Sequence, residues 1–590
     1  MFFLDKRSKN GELLVCESHR LNQKITKRYI NTFKKSFYYK LLSNYFSEKL
    51  IVSYFQKKFF YENRYVFNQI TINKYDGNQH QKIIFDNKEQ KKIIKIFNKN
   101  FKRDSLSTKR YLRNFFTLIK PFYYTFLKLK NIKKNKNNLK TPKIAVSLVD
   151  GIDPKLRSDI FWETKIEKKN NILIYIEAPH LLRKFQEHLP YIKSLKKKGV
   201  SIVNIWEEDN NIENFEKLNF ELDKIKTKNL LESHFKSLSI DLVKKLNFWI
   251  NFFTKYNIKI HIDSDDLKID NIVKQIALEI IGSCSVGKIK SYISPHCSLF
   301  FDYYHNDVFF CWGKKLVRNI KVMKKKGMIS NLNNLIISGN LNQDHNKDYK
   351  TKIFNLKKNF KKKGIKKIIL VLDTTFSDNK NFREQAILTQ NVNYFYNKVL
   401  DLGINDKKIF LLIKPKKGLN DLDSTVKLKI EKLLDEKRIY IEKDSRKPVH
   451  LLSKISDFAV ALTVDSLPTA LLESISENRD LKGVFYDFPR CSSKEKISSW
   501  GKNKVSFTNQ DKMFKELSKS LYSKSSKVGV WSKKFRKNLN PFEAIINRDK
   551  VKFYIFNLLE QFKIFKNKKK CIKKVNELFK KKYGNYVFKI

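Results

Sequence analysis

The residues with the most chemistry to offer stand directly after short apolar runs. In "DFAVALTVDSLPTALLESI" the run gives way to Asp465 and Ser466, then to Pro468, Thr469 and, one helical turn on, Glu473. Asp and Ser are favoured helix N-caps, and Pro suits the first helical turn. A helix starting there presents free amides and the positive end of its dipole, which together seat a phosphate. Ser466 and Thr469 add hydroxyl donors, and Glu473 can accept from a ribose hydroxyl. The plain alternative is a capped helix with a solvated glutamate. "LLIKPKKG" ends another run in Lys414-Pro415-Lys416, and "LVLDTTFSD" ends a third in Asp373-Thr374-Thr375. Taken together, the three ends predict one anion site.

Groups able to take a proton from a hydroxyl follow the earlier runs. They are Asp150 and Asp153 in "SLVDGIDPKLRSDIFW", Glu177 and His180 in "NILIYIEAPH", then Asp263 and His296. Histidine titrates near neutrality, and a carboxylate can serve the same purpose. "HIDSDD" contains an Asp-x-Asp, a spacing at which two carboxylates can grip a divalent metal. A three-residue match arises by chance, and the pattern of elements points elsewhere, so no metal is expected.

These residues need elements to hold them. From Lys143 onward, apolar runs alternate with amphipathic stretches of helical length: "KIAVSLVDG", "NILIYIEAPH", "VSIVNIW", "IKIHIDSDD", "DVFFCWGKK" and "NLIISGN". Near-continuous apolar runs separated by helices are the mark of buried parallel strands. A second series follows in "KKIILVLDTTFSD", "KKIFLLIKPKKG", "RIYIEKD", "DFAVALTVDS" and "KGVFYDFP". The fold class expected is α/β, with two doubly wound, Rossmann-like units facing a cleft. Ligands in such sheets bind beyond the carboxyl ends of the strands. The expected boundaries are a basic, aromatic, mostly helical region over 1–140, the first unit over 141–345, the second over 346–530, and C-terminal helices with a basic tail over 531–590. That tail is expected to be loosely held.

The chain has 590 residues, too many for one ordinary domain. Lys and Arg number 122 against 59 Asp and Glu, a formal net charge of +63. Such an excess suits nucleic acid, anionic membrane or acidic small molecules. An AT-rich genome also produces this mixture of Lys, Asn, Ile and Phe, and the lysines are spread along the chain. With no RNP, zinc-finger or KH signature, nucleic acid is not expected. "NTFKKSFYYKLLSNYFSEKLIVSYFQKKFF" sets aromatics at helical spacing among lysines. It reads either as helices packed on the next unit or as a surface for anionic lipid. None of the six cysteines forms a C-x-x-C pair, which points to reduced thiols. There is no signal-peptide core and no spanning run. The expected location is cytoplasmic, peripheral at the inner face of the cell membrane.

The stretch "IYIEKDSRKPVHLLSKISDFAVALTVDSLPTALLESI" resembles the donor-binding half of GT-B glycosyltransferases, among them bacterial surface-carbohydrate and CDP-glycerol-type polymer transferases. "SLVDGIDPKLRSDIFW" is similar to the opening loop of that group, and "ALEIIGSCSVGKIKSYIS" to its glycine-and-serine segment. "NDVFFCWGKK" and "LIISGN" are similar to its aspartate–tryptophan–glycine strand and later glycine turn, and "LNPFEAIINRDKVKFYIFNLL" to its closing helix. The likeness spans roughly residues 143–560. One departure is Lys416, where related sequences often carry histidine.

The resemblance implies transfer of a sugar from a nucleotide-activated donor to a glycan or lipid-linked acceptor, or of a polyol phosphate on the same fold. It implies donor contacts from Lys414, Asp465, Ser466, Thr469, Glu473, Asp373 and Thr374. It implies catalysis by Asp153 and His180, and an acceptor-side cleft holding Asp263, His296, Gly313 and Gly339. No metal or other cofactor is implied beyond the nucleotide-sugar co-substrate.

Overall fold

A computed structural model describes Arg7 and residues 14–75, 83–85, 88–97, 104–106, 141, 143–149, 151–152, 158–162, 171–177, 189–205, 208, 213–263, 268–292, 304–325, 331–341, 347–362, 364–376, 387–416, 418–444, 447, 449–463, 467–488, 504–542 and 547–590.

The chain opens with α1 (Leu14–Lys34), α2 (Phe37–Ser43) and α3 (Glu48–Tyr75), then β1 (Ile83–Phe85), α4 (Lys88–Phe97) and β2 (Asp104–Leu106), the two strands pairing in parallel. The helical spacing of the aromatics is spent on packing. Tyr29 stacks on Phe59 at 4.1 Å and Phe33 on Phe55 at 3.8 Å, all four buried. These rings are therefore not available to lipid headgroups. The stretch 107–140 lies outside the described residues.

The first unit runs β3 (Lys143–Ser147), β4 (Ile172–Ile176), α5 (Leu189–Lys197), β5 (Ser201–Asn204), α6 (Glu216–Lys224), α7 (Leu230–Lys255), β6 (Ile258–Asp263), α8 (Asp270–Ile280), β7 (Cys284–Lys288), β8 (His305–Cys311), α9 (Lys314–Lys325) and β9 (Asn331–Ile337). Its strands lie parallel in the order β5-β4-β3-β6-β7-β8-β9. Counted from β3, that is 3-2-1-4-5-6-7, the doubly wound order.

The second unit runs α10 (Lys347–Lys362), β10 (Lys367–Leu372), α11 (Thr389–Asn405), β11 (Ile409–Lys414), α12 (Ser424–Asp435), β12 (Ile439–Ile441), α13 (His450–Ile455), β13 (Phe458–Thr463), α14 (Thr469–Glu477), β14 (Lys482–Asp487), β15 (Ser506–Phe507) and α15 (Gln510–Ser520). Its order β12-β11-β10-β13-β14-β15, all parallel, is again 3-2-1-4-5-6. Two doubly wound, Rossmann-like sheets in an α/β chain are thus present.

The chain then returns to the first sheet through α16 (Lys533–Leu539), α17 (Asn547–Ile564), α18 (Lys568–Tyr583) and β16 (Val587–Lys589). α17 and α18 cover one face, burying Val551, Tyr554, Leu558 and Phe579 against Ile144, Val146, Ile260 and Ile262. The opposite face, with Ala145, Leu173 and Tyr175, meets α7 and α8, and the N-terminal helices pack into the same cluster. β16 pairs antiparallel with β9, Val587 opposite Ile336. The expectation of a loosely held tail is corrected here. Lys568 pairs with Asp307 at 3.2 Å, the other lysines of α18 occupy its outer face, and Cys571, Val575 and Phe579 anchor the inner one. A further core joins the units, since Trp312, Leu316 and Ile320 of the first share a cluster with Leu370, Leu412, Leu471 and Phe535.

Candidate functional site

Each sheet reverses its order beside its first strand, and a ligand meets the side chains at such reversals. In the first sheet β3 lies between β4 and β6, and the reversal falls between β3 and β6. Ser147 ends β3, Glu177 follows β4, and Asp263 ends β6. Lys274 of α8 reaches between them, its side chain fully buried. Its ammonium pairs with Glu177, with Asp263 at 3.3 Å, and donates to Asn271 Oδ1 at 3.1 Å. The ring faces of Trp249 and Tyr175 cover it at 4.7 and 5.4 Å. Glu177 also accepts from Ser147 Oγ at 2.8 Å and from Lys268 Nζ at 3.3 Å.

A buried charge is tolerated when it is paired and hydrogen-bonded. Burial alone would push the Lys274 ammonium down; Glu177, Tyr175 and Asp263 outweigh it and hold it well above the usual lysine range. Burial would likewise lift the Glu177 carboxyl, and Lys274 with Lys268 holds it below its ordinary value. His261 shares a 2.5 Å hydrogen bond with the Tyr175 hydroxyl. Burial, then Lys274, push that imidazole to about 3, so the ring is neutral. Beside this cluster lies a small cavity of about 10 Å³, lined by His261, Asp263, Asn271, Ser285, Lys288, Tyr304, His305, Asn306 and Phe309.

In the second sheet the reversal falls between β10 and β13. The helix after β13, α14, begins at Thr469, and its N-cap is Pro468, which makes no side-chain cap. The Pro468 carbonyl accepts the Leu472 N–H at 3.0 Å. This corrects the expectation that Asp465 or Ser466 caps the helix and Pro468 sits within its first turn. The proline ring fixes φ at −74°, and with ψ at 109° Pro468 stays extended, so helical geometry starts one residue later. Thr469 Oγ1 accepts the Tyr292 N–H of the first unit at 3.1 Å, and the Tyr292 hydroxyl accepts from Asn319 of α9 at 3.1 Å. Glu473 lies four residues on, hence on the same helix face, and is buried.

Asp373, just past β10, accepts the Lys416 N–H and, at 3.0 Å, the Tyr396 hydroxyl. It braces the turn that follows β11, with Lys414 half-buried and the Lys416 side chain exposed. Burial pushes the Asp373 carboxyl up to about 7, against those two hydrogen bonds and the nearby lysines. Thr374 is half-buried beside it.

Of the other expected site residues, Asp153, His180, His296, Asp465 and Ser466 lie outside the described residues, as does Asp150. Gly313 follows β8 where α16 presses on the chain. A Cβ there would overlap the carbonyl oxygens of Asn538 and Leu539 and stand 2.7 Å from the Leu539 carbonyl carbon. Gly339, at φ +84°, would put a Cβ 2.5 Å from the Asn547 side chain. Both glycines thus admit the returning C-terminal segment. Asp263 and Glu177 are brought together by Lys274, and Thr469 and Glu473 share one face of α14.

Sequence reasoning missed Lys274, although a signal existed: it stands on the stripe of Ala277 and Leu278, an apolar face of α8. It also missed Asp159, which accepts from the Val149 and Gly151 amides at 2.7 and 3.0 Å and pins the loop after β3. The nearby Asp153 drew attention because it sits beside glycine and proline; nothing local marked Asp159.

No known protein family matches this chain by its sequence profile, and no curated protein matches it. Solved structures do. A glycosyltransferase from Rickettsia africae is 11% identical over 76% of this chain and 99% of its own, with a TM-score of 0.37. A UDP-GlcNAc 2-epimerase from Neisseria meningitidis, bound to UDP-GlcNAc, is 12% identical over 71% and 100%, with a TM-score of 0.38. S. aureus MnaA in complex with UDP is 11% identical over 71% and 97%, with a TM-score of 0.37. The description of the fold rests on the strand order of the two sheets.

Proposed function

We propose that this chain is a GT-B-type glycosyltransferase that moves a sugar from a nucleotide-activated donor to a hydroxyl of a cell-surface polysaccharide or lipopolysaccharide acceptor. The observation that carries the reading is the seam at Thr469. There the tip of α14, at the order reversal of one doubly wound sheet, touches Tyr292 of the other unit. A ligand at such a reversal would lie between the units. The uncapped first turn of α14 suits a diphosphate, and Lys414 stands at the end of β11 in the same sheet.

On this reading the sugar–phosphate C–O bond breaks and its electrons leave with the nucleoside diphosphate. Helix amides and Lys414 stabilise the charge that develops. The acceptor oxygen bonds to the sugar carbon after giving up its proton to a base in the first unit. No metal is required, so donor binding survives chelation. Lysine-rich outer faces would hold the enzyme at an anionic membrane surface.

A thermal-shift screen with UDP-, GDP-, CMP-, CDP- and ADP-linked sugars tests the reading, because a bound donor stabilises the folded chain by mass action. One donor is expected to raise the melting temperature, and Glu473→Ala to weaken that effect while leaving the unliganded melting temperature within a few degrees. No response to any donor, or full response in the variant, counts against it.

A further inference from the structure

We propose that α1 is a strap that ties the two units together across one flank of the cleft, with Tyr29 as its hold on the first unit and Cys16 and Arg7 as its hold on the second. It would do so whether or not the chain is a transferase.

One helix serves both units. Its later turns belong to the first: the Tyr29 ring lies 5.4 Å from that of Phe235 on α7, and the Tyr29 hydroxyl shares a 3.1 Å hydrogen bond with His234 Nε2. α3 runs alongside, its Phe60 carbonyl accepting from Asn22 of α1 at 2.9 Å. α3 is itself fastened to the first unit, by Tyr54 donating to Asp241 at 2.9 Å and by Lys57 donating to the Lys268 carbonyl at 3.0 Å. The first turn of α1 belongs to the second unit. Cys16 is 3% exposed and shares a cluster with Ile369, Val371, Leu411 and Val460. Among the described residues it is the one buried member of that cluster from outside 346–530. Ahead of it, Arg7 Nη2 donates to the Phe488 carbonyl at 2.6 Å, and the guanidinium lies 5.2 Å from the centre of the Phe488 ring. At about 1.5 Å of rise per residue, Cys16 and Tyr29 stand roughly 20 Å apart along α1, so the helix can bridge a gap.

The strap reaches the face of the second sheet that the other contacts leave alone. Side chains alternate across a strand, so β10 sends Leu370 and Leu372 to one face and Ile369 and Val371 to the other. On the first of these faces, Leu370 and Leu372 share a core with Trp312 and Leu316 of the first unit, and α14 touches Tyr292 through Thr469. Units joined along one side swing about it unless something restrains the far side. Cys16 supplies that restraint, because its cluster lies on the Ile369 and Val371 face. The anchors also lie at the rims of the cleft. Lys268 stands between β6 and α8, past the carboxyl end of β6, and Phe488 directly follows β14. Ligands of doubly wound sheets bind on that side of the strands. The strap therefore sets how far the two rims stand apart, and a ligand that touches both meets a gap already near its bound width. Such preorganisation lowers the cost of binding.

The test compares wild type, Arg7→Ala and Arg7→Ala/Cys16→Asp as full chains without ligand. Hydrogen–deuterium exchange and small-angle X-ray scattering are read on the same samples. Amides from Ser18 to Leu21 are expected to exchange slowly in wild type. Arg7→Ala should speed them about tenfold, as loss of a hydrogen bond from a charged group does. The double variant should speed them further, because a carboxylate is not tolerated in an apolar cluster. The radius of gyration should rise in both variants, more in the double one, while amides from Tyr29 to Phe33 and from Ile369 to Leu372 keep their wild-type rates. If the double variant loses that protection it has unfolded more widely, and Arg7→Ala alone decides. Fast exchange from Ser18 to Leu21 in wild type overturns the proposal, as does unaltered exchange there in the variants. Released amides with an unchanged radius of gyration also overturn it, since α1 would then be a passenger of the first unit.

Discussion

Replacing Asp373 by asparagine should make the second unit more stable, and only above about pH 5. The Asp373 carboxyl is pushed from its ordinary 3.8 up to about 7, chiefly by burial. Fully enclosed, that displacement would correspond to about 4 kcal/mol of penalty for the ionised form. Asp373 is half-buried, and solvent screening reduces the figure to about 2 kcal/mol. The folded state holds this proton more tightly than the unfolded chain does. The group's contribution is therefore fully present below about pH 4 and is lost as pH rises toward 7. Asparagine keeps the brace: Oδ1 accepts from the Lys416 amide and Nδ2 donates to the Tyr396 hydroxyl, which now accepts. Thermal melts of Asp373→Asn and wild type should coincide near about pH 4 and diverge by about 4–8 °C at about pH 8, taking the second sheet as the melting unit. An offset that stays constant with pH would refute the argument.

Three further outcomes follow from the packing. Lys550 is 1% exposed, with its ammonium 3.8 Å from the centre of the Phe542 ring and 3.2 Å from Asn547 Oδ1, and burial lowers it to about 8. Its folded value lies below the unfolded one, so its contribution grows as pH rises through 8. Lys550→Met should raise the melting temperature more at about pH 7 than at about pH 10, and a pH-independent difference would contradict this. Gly313→Ala should cost about 1–3 kcal/mol, because the colliding atoms are backbone; an unchanged melting temperature would mean that α16 yields easily. Phe579→Ala, at a side chain with no exposed surface, should cost about 3–5 kcal/mol in the first unit, and a silent variant would show the C-terminal helices to be an appendage.

Much of the scaffold was legible. "KIAVSLVDG", "NILIYIEAPH" and "DFAVALTVDS" hold β3, β4 and β13, because strands covered on both faces carry apolar residues at nearly every position. β7 escaped that reading. Its sequence CSVGK is central and buried, yet Ser285, Gly287 and Lys288 break the apolar run: the Ser285 hydroxyl bonds Asp307 of β8, Gly287 leaves room for Asn306 and Phe309, and the Lys288 ammonium lies 4.2 Å from the centre of the Phe161 ring. β16 and β15 are too short to show a period. A helix after β13 was legible, but its cap was not, because the same Asp-Ser-x-Pro pattern fits a helix starting at several positions. The Lys274 cluster was visible only in part. A lone lysine on an apolar stripe signals a buried partner but cannot say which distant carboxylates supply it.

The central claim is that a nucleotide diphosphate sits on the tip of α14 at the seam with Tyr292. Hydrogen–deuterium exchange with the best donor from the screen tests it directly. Amides from Thr469 to Glu473, together with Tyr292, are expected to slow markedly on donor addition. Protection elsewhere with none at these positions would contradict the claim.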